Sequence, residues 1–200
     1  MRVIAGKYRS RPLRSLRGMD IRPTSDRLRE TLFNVLTAGN PSVLEGSVWL
    51  DLFAGTGAVG IEALSRGARE VHFVESSNSA AEAIRSNLQS LGIVEGVEVL
   101  KEELPRAFWR MERQKVAADV VFLDPPYRLK DAYASTLRAL SESSLIWAMT
   151  MVIAEHEKKF DPGQEFGTLR RFRLMIQGNA ALSFYRLGNA SPGNAGDEHT

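Results

Sequence analysis

The chain has 200 residues, 44% of them apolar, which suits one domain of ordinary size with a sizeable core. It contains no cysteine, and this excludes a disulfide framework, thiolate metal sites and a cysteine nucleophile. The formal charge of +2 conceals an asymmetry: residues 1–30 hold nine Lys or Arg against three Asp or Glu, so that segment carries +6 and the rest −4.

A basic arm on a mildly acidic body fits either an anionic polymer as partner or a solvated face. The opening "MRVIAGKYRSRPLRS" has no apolar core of a secretory signal. No apolar run approaches the roughly 20 residues of a membrane helix. The expectation is a soluble, cytoplasmic protein that contacts no membrane.

Residues 2–15 read as a short basic hairpin or extended arm. In "IRPTSDRLRETLFNVL" either Thr24 or Ser25 can cap a helix, with Asp26 in its first turn. Leu28, Leu32, Val35 and Leu36 share one face. Residues 37–47 are loop-like. From Val48 onward strand and helix alternate. Strand-like runs occupy 48–53, 71–75, 97–100, 119–124 and 151–156, and the best helical pattern lies between the second and third, at 78–91. This alternation predicts a parallel, doubly wound α/β sheet. Runs at 170–177 and 181–187, joined by "GNA", add an antiparallel hairpin, for seven strands. Residues 188–200 are polar and glycine-rich and read as a disordered tail. The division is 1–40, a basic arm and helix packed on the core; 41–187, the catalytic domain; and 188–200, the tail.

"DLFAGTGAVGIEAL" places Gly55, Gly57 and Gly60 in a G-x-G-x-x-G pattern between a strand and a helix. The pattern serves a dinucleotide or an adenosyl cofactor. Asp51, ahead of the loop, offers nothing to a pyrophosphate but suits a methionine ammonium. Glu75 closes the next strand and can accept two ribose hydroxyls, a feature that alone also fits NAD. Asp124 closes a further strand and begins "DPPY". Ligands of open α/β sheets bind beyond the carboxyl ends of the strands, so all three acids can face one crevice. Pro125 and Pro126 remove two backbone donors and fix φ. Asp124 and the Pro125 carbonyl then suit the two protons of an exocyclic base amine, with Tyr127 as a stacking face. Acceptors on those protons aim the nitrogen lone pair and stabilise charge arriving there. His72, His156 and His199 form no convincing metal constellation, and no metal is expected. Trp49, Trp109 and Trp147 fit packing better than base stacking.

Taken together, "MRVIAGKYRSRPL", "RPTSDRLRETLFNVL", "DLFAGTG", "GIEALSRGA", "FVE" and "FLDPPY" resemble the bacterial RsmD-type methyltransferases over residues 1–187. The resemblance implies a Rossmann-like methyltransferase fold with S-adenosyl-L-methionine as cofactor. It also implies methylation of a guanine N2 in small-subunit (16S) ribosomal RNA, free or in a partly assembled subunit, by a monomer. Carried over, Asp51, Gly55 and Gly57 hold the methionine end, with Phe53 and Ala54 between them. Glu75, followed by Ser76, binds the ribose. Glu102 or Glu103 touches the adenine. Asp124, Pro125, Pro126 and Tyr127 hold the target amine. Lys7, Arg9, Arg11, Arg14, Arg22, Thr24 and Arg27 meet the RNA, Arg22 and Arg27 being near enough to the helix start to line the crevice instead. The family's usual aromatic before the glycine is missing in "QGNAAL". Rival readings are a DNA adenine-N6 methyltransferase, for which no segment is long enough to be a target-recognition region, an NAD-dependent oxidoreductase, which leaves DPPY unexplained, and a non-catalytic RNA-binding protein.

Overall fold

The computed structural model describes residues 1–15 and 25–188. The expectations for Arg22, Thr24 and the tail from 189 onward lie outside the described residues.

Helices α1 (Asp26–Leu36), α2 (Ala58–Ser65), α3 (Asn78–Leu91), α4 (Leu104–Arg113) and α5 (Lys130–Glu142) flank one sheet. Its strands are β1 (Val48–Leu52), β2 (Glu70–Val74), β3 (Val97–Leu100), β4 (Ala118–Leu123), β5 (Ile146–Glu157), β6 (Glu165–Phe166), β7 (Leu169–Gln177) and β8 (Ala180–Leu187). They lie in the order β3-β2-β1-β4-β5-β8-β7-β6. The first five run parallel, and β8 joins β5 antiparallel. The reversal between β1 and β4 opens the crevice at the carboxyl ends of the strands. The expected seven strands become eight because β6 pairs two residues with the start of β7. So short a strand carries no period to read.

The turn from β7 to β8 is Gly178–Asn179, with Gly178 at φ 61°, the left-handed conformation that a two-residue hairpin loop needs. The cap of α1 is Ser25, whose hydroxyl accepts from Leu28 N–H at 3.1 Å. Phe33 joins Leu28, Leu32 and Leu36 in the core, while Val35 is only half-buried. Phe33 stacks on Trp49 at 5.4 Å, which confirms Trp49 as a packing residue. Trp109 and Trp147 correct the expectation of packing: they are 58% and 46% exposed. Trp109 lies on the open face of α4 beneath the Arg113 guanidinium.

Two apolar layers sandwich the sheet. One joins α1, α2, α3 and the arm residues Val3 and Leu13; the other joins α4 and α5. The arm is a minimal hairpin closed by one bridge, Arg2 to Pro12. It is sewn onto α2. Ile4 and Ala5 N–H donate to the Glu62 carboxylate at 2.7 and 3.0 Å, and Lys7 N–H donates to the Ser65 carbonyl at 2.7 Å. A Cβ on Gly6 would sit 1.8 Å from that same carbonyl, so only glycine allows the approach. At its far end Arg14 exchanges backbone hydrogen bonds with the Asn87 side chain of α3, which also donates to Thr56 in the glycine loop. Lys7, Arg9, Arg11 and Arg14 are exposed. Arg29, counted in the basic arm, is instead wholly buried between Asp26 and Glu62.

Candidate active site

The glycine loop is built by three left-handed residues in a row of five. Phe53, Gly55 and Gly57 have φ of 60°, 56° and 76°. Glycine adopts this freely, but phenylalanine does so at a cost of order 1–3 kcal/mol, the kind of strain concentrated at ligand-binding loops. The loop folds back on β2, where Ala54 N–H donates to the Val74 carbonyl at 3.0 Å. Gly60 does other work. A Cβ there would stand 2.4 Å from the Phe73 ring, so Gly60 lets α2 lie against the sheet.

Asp51 is the fourth residue of β1 and is almost wholly buried. Its Oδ2 accepts from Gly60 N–H at 2.9 Å, in the first turn of α2. Burial pushes the carboxyl up to about 7; the Gly60 hydrogen bond opposes this and the Glu75 charge adds to it. A raised carboxyl favours the protonated folded form. Its stabilising effect is full below the unfolded value near 4 and is lost as pH rises toward 7. Asp51→Asn should therefore raise the melting temperature of the cofactor-free protein at pH 8, with a gap that shrinks toward pH 5, and should weaken cofactor binding. Melts at the two pH values check this; an unchanged or lower melting temperature at pH 8 would contradict it.

Glu75 follows β2 and is half-buried. Its two oxygens accept from Gly55 N–H at 2.9 Å and Ser77 N–H at 2.7 Å. Each carboxylate oxygen keeps a second lone pair, so the group can hold the loop and still take two hydroxyls. Ser76 beside it is exposed. Glu75→Ala should weaken cofactor binding by about 1.5–3 kcal/mol, the contribution of one charged hydrogen bond. An unchanged dissociation constant in calorimetry would move the ribose elsewhere.

After β3, Glu102 and Glu103 part company. Glu103 is the exposed N-terminal cap residue of α4 and makes no side-chain cap bond. Glu102 is half-buried, with Oε1 3.4 Å from Arg110 and Oε2 3.9 Å from the Arg106 guanidinium but without a hydrogen bond among the described residues. That buried oxygen, lacking a hydrogen-bond donor, favours Glu102 for an amino group.

Asp124 follows β4, and its N–H reaches the Leu52 carbonyl of β1 at 3.4 Å. Burial pushes its carboxyl well above the usual range, and the neighbouring Glu155 and Asp51 charges push the same way. Pro125 is buried, Pro126 exposed and Tyr127 half-buried. The Tyr133 hydroxyl of α5 donates to the Glu155 carbonyl at 2.9 Å and lies 3.4 Å from that of Pro125. Shared between the two carbonyls, the hydroxyl ties the turn to β5, and the second lone pair of the Pro125 oxygen can still accept from another donor. Arg27, exposed at the start of α1, lines the same pocket as Glu155. His156, next to Glu155 in β5, is buried and bonds to Ser183 and the Glu157 carbonyl; burial lowers its pKa.

The residues present fit S-adenosylmethionine. There is an anionic wall for its cationic methionine end, a diol acceptor at Glu75, a buried acceptor oxygen without a hydrogen bond at Glu102 and a close-approach loop between them. Sequence reasoning missed Glu155. It carries the same signal as the other three acids, a carboxylate at the carboxyl end of a strand.

The family model "Conserved hypothetical protein 95" matches residues 1–186. Ribosomal RNA small subunit methyltransferase D of Haemophilus influenzae is 37% identical over 94% of this chain and 92% of its own length. Its Escherichia coli namesake is 31% identical over 78% and 75%. A solved structure from Escherichia coli superposes with a TM-score of 0.77 at 27% identity, covering 94% of this chain and 97% of that one. An RNA methyltransferase from Salinibacter ruber, solved with S-adenosyl-L-homocysteine, shares the fold at a TM-score of 0.66 and 17% identity, over 86% of this chain and 98% of its own. With residues 1–186 matched by the family model and relatives of 31–37% identity over most of its length, the chain belongs to the RsmD-type family of S-adenosylmethionine-dependent methyltransferases.

Proposed function

We propose that this enzyme methylates the exocyclic N2 amine of a guanine in small-subunit ribosomal RNA, acting as a monomer in the cytoplasm. The observation that carries the reading is the Asp124–Pro125 turn, a carboxylate and a carbonyl presented together beside the glycine loop. No described helix is long and apolar enough to cross a membrane.

When bound, S-adenosylmethionine would supply an electrophilic methyl group on a sulfonium sulfur, which would keep the C–S bonding pair and leave as a neutral thioether. Asp51 and the loop from Phe53 to Gly57 hold the methionine end, Glu75 the ribose and Glu102 the adenine amine. Tyr127 stacks on the base. Asp124 and the Pro125 carbonyl accept the two amine protons, which turns the nitrogen lone pair toward the methyl. As nitrogen gains the methyl it gains positive charge, and the Asp124 carboxylate stabilises that charge and takes one proton. The strained, preorganised loop fixes the distance between the two partners.

The arm supplies RNA affinity. Its backbone is fixed on α2 and α3, while Lys7, Arg9, Arg11 and Arg14 stay exposed, Arg11 also donating to the Ser90 carbonyl at 3.0 Å. Much of the alternative basic surface is paired with acids: Arg110 with Glu98 and Glu102, Arg106 with Glu102, Arg170 with Glu165 and Arg171 with Asp161. Phosphate contacts act through counterion release. Neutralising the four arm residues should therefore weaken RNA binding and flatten its salt slope by about 0.7–0.9 for each phosphate that no longer meets a cation. Filter binding across a salt series checks this, beside cofactor calorimetry that should not change. A parental slope would make the arm a packing element alone.

The test of the function is nucleoside mass spectrometry of small-subunit RNA from a strain lacking the gene. Loss of one N2-methylguanosine per subunit, restored by the parental gene, is the expected result. An unchanged nucleoside profile would overturn it. Comparing subunit-bound with free RNA as substrate then separates the two forms of the target.

A further inference from the structure

Glu155 is one of the most deeply buried acids of the protein, at 4% exposure. Its place is set by register. Leu123 of β4 pairs with Ala154 of β5, so Glu155 stands level with Asp124 on the adjacent strand, about 4.8 Å away in the sheet direction. Phe122 and Ile153, two residues earlier, both face the layer of α1 and α2, and alternation turns Asp124 and Glu155 the same way. A pocket of about 170 Å³ opens there. It is lined by Glu155, by Ser25, Arg27 and Leu28 at the start of α1, and by Gln177 and Asn179 at the β7–β8 turn. The Gln177 Oε1 is buried with no hydrogen bond among the described residues. The wall thus presents acceptors at its base and a guanidinium at its rim.

A guanine edge runs from the N2 amine, a donor, through N1–H, a donor, to O6, an acceptor. Adenine reverses the last two: its N1 accepts and its C6 amine donates. We infer that Glu155 and Arg27 form a guanine-reading pocket, in which the Glu155 carboxylate accepts N1–H and Arg27 donates to O6 while Asp124 and Pro125 hold the N2 amine. The inference rests on the methylation of guanine proposed above and adds the residues that choose the base. A purine with an unprotonated N1 sets a lone pair against the carboxylate and an amine against the guanidinium. A site that matches donors to acceptors along this edge rejects a base that reverses them. A flipped base is read along this same Watson–Crick edge.

The test uses the full-length protein and RNA carrying either guanine or 2,6-diaminopurine at the methylated position. Diaminopurine keeps the N2 amine and the stacking face but reverses N1 and C6. The parental enzyme should methylate guanine roughly 10- to 150-fold more efficiently, as expected for one charged hydrogen bond. Glu155→Gln can donate to an unprotonated N1, so it should lose rate on guanine and bring the two bases to within a few-fold. Arg27→Ala, a surface change, should narrow the ratio as well. S-adenosylmethionine affinity should stay within about twofold in both variants, which also reports that they fold. A parental enzyme indifferent to the two bases, or variants that keep the parental ratio, overturn the base-reading role while leaving guanine methylation standing. A parental enzyme that methylates no guanine overturns both.

Discussion

Asp124→Asn should abolish most methyl transfer while cofactor affinity changes by much less. The two effects separate because the carboxylate is placed against the target amine and not against the ribose or adenine, which Glu75 and Glu102 serve. Asparagine keeps the shape and one acceptor oxygen but carries no charge to meet the positive nitrogen. Removal of one such preorganised group costs about 10²–10³ in rate. The parental rate should also rise with pH through a value above the ordinary carboxylate range, because burial, Glu155 and Asp51 all hold Asp124 protonated there. Single-turnover kinetics across pH, with cofactor calorimetry on both proteins, measures each part. Near-parental turnover in the variant would remove Asp124 from the chemistry.

Glu62→Ala should be the most destabilising single change outside the apolar core. Glu62 is fully buried in α2 and holds four residues at once. It accepts from Ile4 and Ala5 of the arm, pairs with Arg66 at 2.7 Å and faces the buried Arg29 at 3.8 Å. Burial lowers the Arg29 pKa, and the Glu62 and Asp26 charges are what oppose that. Removing Glu62 leaves a buried guanidinium without its main counter-charge, a change that costs about 3–5 kcal/mol. Two arm amides lose their acceptor in the same step. Urea unfolding should show the loss, and arm-dependent RNA binding should fall with it. A loss below about 1 kcal/mol would mean that arm and helix are held by apolar contacts alone.

Features whose causes are local are readable from the sequence. The glycine loop, the proline-stiffened turn and the acids at strand ends each need particular residues at fixed spacing, and the structure brings Asp51, Glu75 and Asp124 to one end of the sheet. Helix α1 announces itself by its cap and its apolar spacing. Features set by distant partners are not readable. Arg29 looks like one more basic residue of the arm because Glu62, which draws it inward, lies on another helix. Trp109 and Trp147 look like core residues by composition, yet their faces meet no covering element among the described residues. Strand β6 exists only because β7 offers it an edge. Glu155 is legible in principle and easily missed, because the acid sits inside the apolar run "MVIAEH", where the run reads as core.

The position at which the methyl group arrives decides between guanine N2 and its rivals. Purified enzyme, small-subunit RNA from the deletion strain and S-adenosylmethionine labelled on its methyl carbon should yield label in N2-methylguanosine at a single position, with Asp124→Asn reduced by about 10²–10³. Label on an adenine N6, on protein, or on RNA with Asp124→Asn as active as the parent would contradict it.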